Sequence, residues 1–187
     1  MTRRWTTFFA AVVLVASLAC GGSTDTEFEA MLARAEQGDA DAQFNLARMY
    51  DEGEGVSQDK AEALRWLRSA ADQGNSSAQH NLGVKYNTGR GVPQDYAEAL
   101  RWSRLAAEQG IADAQFNLAR MYALGLGGPQ DDAQAYKWFN LAASRSTGTV
   151  REDATVWRDI VANRLTPDQR AEAQRLAREW DEAHPRD

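Results

Sequence analysis

From about residue 28 to residue 143 the apolar positions follow a helical rhythm that stops and restarts on a fixed schedule. Ala42, Leu46, Met49 and Tyr50 fall at i, i+4, i+7 and i+8, one stripe of a helix with about 3.6 residues per turn. The run Asp51-Glu52-Gly53-Glu54-Gly55 interrupts it, because glycine accepts the positive φ that ends a helix at little steric cost. Asp59 then offers a carboxylate to the open N–H groups of a second predicted helix, whose buried stripe is Ala63, Trp66, Leu67 and Ala70 and which Gly74 closes. The arrangement recurs with a shift of 36 residues: Gln37, Gln73 and Gln109; Leu46, Leu82 and Leu118; Tyr50, Tyr86 and Tyr122; Asp59, Asp95 and Asp131; Trp66, Trp102 and Trp138. Self-similarity of this length marks a solenoid, in which each helix pair hides its apolar side only against its neighbours.

The ends depart from the period. Glu27 to Gln37 reads as the second helix of a degenerate leading unit, and past Ser144-Arg145-Ser146-Thr147-Gly148 the repeat is lost. Two more helices are predicted, about Val150 to Asn163 and Pro167 to Glu182, the latter opened by the capping box Thr166-Pro167-Asp168-Gln169. Its charged outer face would shield the last repeat from water, as terminal units of a solenoid must. In the third unit Gly128 stands where the others have Val56 and Val92, so Leu124 to Pro129 predicts a looser turn that departs from the first two.

The stretch A-E-Q-G-D-A-D-A-Q-F-N-L-A-R-M-Y-D-E-G-E-G-V-S-Q-D at Ala35 to Asp59, echoed at Ala71 to Asp95, resembles the Sel1-like repeat of the tetratricopeptide superfamily. The resemblance implies an all-α fold, an α/α solenoid coiled as a right-handed superhelix. Its units would cover about 35–70, 71–106 and 107–143, with a leading half unit at 27–37 and capping helices over 144–187.

Ahead of the repeats the chain changes character. Thr2-Arg3-Arg4 is basic, Trp5 to Leu18 is apolar apart from a few Ser and Thr, and Ala19-Cys20-Gly21-Gly22-Ser23 follows. The run is too short and too one-sidedly flanked for a stable spanning helix, and has the three-part layout of a secretory signal peptide. It resembles the leader of a bacterial lipoprotein, which implies a signal peptide at 1–19, a diacylglycerol on the Cys20 thiol and a linker over 20–26. In that class, the absence of an aspartate after the cysteine implies the outer membrane, with the protein facing the periplasm. Leu18 lies two places before Cys20 rather than the usual three, and Ser17 and Ala19 also suit ordinary signal peptidase. A soluble periplasmic or secreted protein is therefore the competing reading.

Composition narrows the chemistry. The 187 residues are 43% hydrophobic, enough for one folded core. The formal charge of −6 becomes about −8 once Arg3 and Arg4 leave with the leader, which repels phosphate backbones and argues against nucleic acid as a partner. Cys20 is the only cysteine, and His80 and His184 have no companion at metal-ligand spacing, so neither a disulfide, a metal nor a cofactor is expected.

Each first helix carries a second stripe beside its core stripe: Asp41, Phe44, Asn45 and Arg48, then Ser77, His80, Asn81 and Val84, then Asp113, Phe116, Asn117 and Arg120. The resemblance implies that this side lines a concave groove holding extended peptides. Side-chain amides suit that task, since each donates to a peptide carbonyl and accepts from its N–H. Asn45, Asn81 and Asn117 would form the ladder, Phe44, His80 and Phe116 the contact platforms, and Arg48 and Arg120 the anchors for carboxylates. Two other roles stay open: the asparagines as caps or bridges between helices, and the aromatics as half-buried core. The pairs Gly53/Gly55, Gly89/Gly91 and Gly125/Gly127 follow helices rather than strands, which argues against phosphate loops, and no nucleophile is set beside a base. Asp51, Glu52 and Glu54 become Asn87, Thr88 and Arg90 one unit on, which argues against calcium. A cysteine-rich subset of Sel1-like proteins is linked with β-lactam binding and hydrolysis, but the disulfide staples of that subset have no counterpart here. The expected function is a non-enzymatic protein-interaction scaffold at the bacterial cell envelope, with a β-lactam-binding or hydrolysing protein and a self-associating spacer as the competing readings.

Overall fold

A computed structural model describes residues 24–185, so Cys20 and the leader lie outside the described residues. Helix boundaries follow the local chemistry. Asp59 Oδ1 accepts from the N–H groups of Ala61 (2.9 Å) and Glu62 (3.1 Å), and Asp95 Oδ1 does the same for Ala97 (2.9 Å) and Glu98 (3.1 Å). Gly53, Gly89 and Gly125 end the first helices at φ of 76°, 71° and 65°, the left-handed conformation that costs glycine least. The described helices are α1 Thr24–Glu36, α2 Ala40–Glu52, α3 Lys60–Asp72, α4 Ser76–Thr88, α5 Tyr96–Glu108, α6 Ala112–Leu124, α7 Asp132–Arg145, α8 Gly148–Ala162 and α9 Pro167–Ala183, with no strand among the described residues.

The pairs α2/α3, α4/α5 and α6/α7 are antiparallel hairpins stacked in order, and α1 packs on α2 as the second half of a leading unit. The first helices approach each other across units, α4 touching α6 and α6 touching α8, which places them on the inner side of the stack. Leu46, Leu82 and Leu118 are wholly buried at the centre of their units, and Trp66, Trp102 and Trp138 are buried beside alanines. Large side chains over small ones let the hairpins pack closely.

A buried polar column accompanies this core. Gln43, Gln79 and Gln115 donate through Nε2 to the carbonyls of Ala35 (3.0 Å), Ala71 (3.1 Å) and Ala107 (3.2 Å), in the last turn of the preceding second helix. Gln73 and Gln109 then donate to the Oε1 atoms of Gln43 (2.6 Å) and Gln79 (2.7 Å), so each junction between units is bolted by amides. The third bolt is missing. Arg145 stands 36 residues after Gln109 and turns instead to Asp181 (2.7 Å) and the His184 carbonyl, leaving Gln115 Oε1 buried without a partner among the described residues.

Both ends are closed, by different means. On α1 the positions of Ala63, Trp66 and Ala70 are taken by Glu27, Ala30 and Arg34, all exposed, so the outer face of the leading half unit is polar. At the other end α9 packs against α7, with Trp180 edge-on to Trp138 at 5.8 Å and Gln174 Nε2 donating to Tyr136 Oη at 2.9 Å. The Thr166–Gln169 capping box forms as expected. The third-unit turn corrects its expectation in part. The N–H of Asp131 reaches Tyr122 O at 3.0 Å, as Asp59 reaches Tyr50 O (2.9 Å) and Asp95 reaches Tyr86 O (3.0 Å), so the turn keeps the common bond. What differs is its packing: Gly127, at φ 76°, lies against the backbone of Tyr96 so closely that a Cβ would come within 2.0 Å of that carbonyl oxygen.

Candidate functional site

The four rows of the second stripe fall in register on α2, α4 and α6, and the structure gives each row a different character. Asn45, Asn81 and Asn117 are half-buried, and their side chains make no hydrogen bond among the described residues. They neither cap nor bridge helices; each lines a cleft instead. A half-buried amide without a protein partner is left to water or to a ligand.

The clefts recur along the inner face, one beside each asparagine, with different sizes and linings. The first lies at α1 and α2 and has a volume of about 350 Å³, with Met31 and Met49 as apolar walls and Glu27, Asn45, Arg48 and Glu54 as polar ones. The second, between α2 and α4, is about 40 Å³ and is lined by Arg48, Asp51, Leu67, Asn81 and Lys85. The third, between α4 and α6, is about 10 Å³ and is lined by Val84, Asn87, Ser103, Asn117, Arg120 and Leu126. The first is wide because no first helix precedes α2 among the described residues.

Phe44 and Phe116 are half-buried and pack on the core, Phe116 edge-on to Phe139 at 5.7 Å, so only part of each ring faces outward. His80 is half-buried between them in register, and burial pushes its pKa below the usual 6.5 while the Asp113 carboxylate opposes the shift. Asp41 accepts a hydrogen bond from Asn75 Nδ2 at 2.7 Å, which ties it to the start of α4, whereas Ser77 and Asp113 are exposed. Arg48 pairs with Glu52 at 3.6 Å; Arg120 lies 5.9 Å from the Phe116 ring and makes no ion pair among the described residues. Val84 lines the third cleft.

Several structural roles escaped the sequence reading although their signal was present. The paired glutamines repeat every 36 positions, as do Arg68 and Arg104, which donate to Tyr86 Oη and Tyr122 Oη at 2.8 Å each. Lys85 also faces the groove, with its charge met by Asp51 at 3.4 Å. Among the described residues no group of three or more His, Cys, Asp or Glu is placed to hold a metal ion, and no helix is long and apolar enough to cross a membrane.

Comparison with known proteins bears on the repeat and its fold. Residues 40–75, 76–111 and 112–146 each match the family model for the Sel1 repeat, whose unit begins at the first helix. A Sel1 repeat protein from Oxalobacter formigenes is 37% identical, with a TM-score of 0.66 over 70% of this chain and 98% of that one. The protective antigen c5321 of uropathogenic Escherichia coli, which displays an SLR fold, is 31% identical at a TM-score of 0.60, over 83% of this chain and 40% of that one. The cysteine rich protein B of Helicobacter pylori, at 19% identity and a TM-score of 0.52 over 71% of this chain and 98% of that one, shares the fold. No curated protein sequence matches the chain.

Proposed function

This chain belongs to the Sel1 repeat family, whose members generally serve as protein-interaction scaffolds, and we propose that it is a non-enzymatic adaptor holding an extended protein segment against the inner face of its solenoid. The observation that carries this is the row of unpaired amides at Asn45, Asn81 and Asn117, one per unit and each at a cleft. Packed helices stand about 8–10 Å apart, and an extended chain advances about 3.3 Å per residue, so successive amides meet roughly every third residue of a bound strand. Each amide offers a donor and an acceptor to backbone groups common to all peptides, while the neighbouring clefts supply selectivity.

The envelope setting belongs to the same proposal. A lipid on Cys20 would hold the solenoid at a membrane surface, with the acidic repeats directed into the periplasm. Palmitate labelling of the wild type and of Cys20→Ser tests the anchor; equal labelling of both removes it. For the groove, a photoreactive residue replacing Asn81 is expected to crosslink a partner in intact cells, while one replacing Arg101 on α5 is not. Equal crosslinking from both positions overturns the groove, and crosslinking to a second copy of this chain alone makes it a self-associating spacer.

A further inference from the structure

The third cleft is not a smaller copy of the second. Where the second has Ala47 and Leu67, the third has Gly83 and Ser103. Ser103 is 4% exposed, and its Oγ makes no hydrogen bond among the described residues. A Cβ on Gly83 would lie 2.7 Å from that Oγ, so α4 and α5 approach closely here, and the cleft shrinks to about 10 Å³. That is room for about one oxygen atom rather than a side chain. Around the space stand the side chains of Asn87, Asn117 and Arg120, none hydrogen-bonded to another described residue.

Arg120 also differs from the other groove cations. Arg48 is met by Glu52 and Lys85 by Asp51, but the residue one turn beyond Arg120 is Leu124 in place of an acid. Asp153, which takes the asparagine register on α8, makes no ion pair with it. Beside this cation the groove turns apolar. Leu124 is 47% exposed, and Val156 and Ile160, at the registers of Arg120 and Leu124 on α8, are 58% and 44% exposed.

We infer that this cleft is a carboxylate subsite, taking the side chain of an aspartate or glutamate in the bound segment and placing an aliphatic neighbour of that acid on Leu124, Val156 and Ile160. The inference rests on the groove reading and names what the groove selects. One carboxylate oxygen enters the space before Ser103 Oγ and the asparagine amides; the other stays at the mouth on the Arg120 guanidinium. A single guanidinium balances one negative charge, which suits a carboxylate better than a phosphate dianion.

The test is selection from a displayed library of random peptides, each fused at its carboxyl end so that no terminal carboxylate is available. The expected winners carry an acid beside an aliphatic residue. Their synthetic, end-capped versions should lose about tenfold or more in affinity on a Glu→Gln change, the size expected for a charge-assisted hydrogen bond. Arg120→Met should produce the same loss with an unchanged melting curve, Ser103→Ala a smaller one, and Arg101→Met on α5, outside the groove, less than about twofold, as for an ion pair exposed to solvent. Winners that bind through Asn45 and Asn81 but carry no acid, or that weaken equally with Arg101→Met, overturn the subsite and leave the groove standing. Winners indifferent to Asn45→Ala with Asn81→Ala, or no winners at all, overturn both.

Discussion

Gln79→Met and Gln115→Met remove the same side chain from equivalent buried positions, and the structure predicts opposite results. At Gln79 two hydrogen bonds are lost, from Nε2 to Ala71 O at 3.1 Å and from Gln109 Nε2 to Oε1 at 2.7 Å. At a net value of about 0.5–1.5 kcal/mol each, the loss is roughly 1–3 kcal/mol. Nothing new is stranded, because Ala71 O keeps the Gly74 N–H at 3.0 Å and Gln109 keeps the Gly74 carbonyl at 3.0 Å. At Gln115 only the 3.2 Å bond to Ala107 O is lost, and that carbonyl keeps the Gly110 N–H at 3.0 Å. Against that loss, the change removes a buried Oε1 that has no partner, whose desolvation costs about 1–3 kcal/mol. Methionine matches glutamine closely in volume and helix propensity, so packing contributes little to either change. Gln115→Met is therefore expected to be neutral or to stabilise by up to about 2 kcal/mol, and Gln79→Met to destabilise. Urea unfolding followed by circular dichroism measures both, and each kcal/mol should also move the melting temperature by about 2–4 °C in a domain of this size. Equal destabilisation by the two changes would refute the reasoning, since it would mean that Gln115 Oε1 is as well satisfied as Gln79 Oε1.

Three further outcomes follow from the same structure. Leu82→Ala empties a wholly buried site shared by neighbouring hairpins and should cost about 2–5 kcal/mol in urea unfolding, whereas a loss below about 0.5 kcal/mol would place Leu82 on the surface. Gly91→Ala and Gly127→Ala both force a side chain into positive φ, at 77° and 76°, but only the second meets a backbone carbonyl, that of Tyr96. Gly127→Ala should cost about 1–3 kcal/mol more than Gly91→Ala, the price of overpacking; equal losses would show that the turn does not rest on α5. The third concerns acid. Burial lowers the His80 pKa below 6.5, so below that pH the unfolded chain binds the proton more readily than the folded one. Stability should be complete above about pH 6.5 and fall as pH drops below it, and His80→Phe, which copies Phe44 and Phe116, should remove that slope. A wild-type slope retained in His80→Phe would assign it to the carboxylates instead.

Much of the fold was legible because its causes are local. The carboxylates of Asp59 and Asp95, the left-handed glycines at 53, 89 and 125 and the Thr166 capping box act within a turn of their own helix, so the observed boundaries match those expected to within a few residues. The candidate rows were legible in position for the same reason: a spacing of three or four residues sets them on one face. Even the contrast between Arg48 and Arg120 was written in the residue one turn on, Glu52 in one case and Leu124 in the other. The amide bolts were missed for another reason. A repeated glutamine reads as surface until two units are placed together, and the Nε2 atom of Gln73 meets Gln43 across 30 positions of sequence.

By itself the sequence determined that this is a repeating stack of helix pairs with distinct ends. Helix formation and the period of the buried stripe depend on neighbours within about four residues and on copies at a fixed shift. Only the tertiary structure decided which polar groups of those copies meet a partner and how much space is left beside them. Whether an amide is spent on a neighbour, as in Gln79, or left open, as in Asn81, depends on which atoms the adjoining unit brings within about 3 Å. The unequal clefts have the same origin: their size is set by the approach of two helices, where a change as small as Leu67 to Ser103 alters both the space and its polarity.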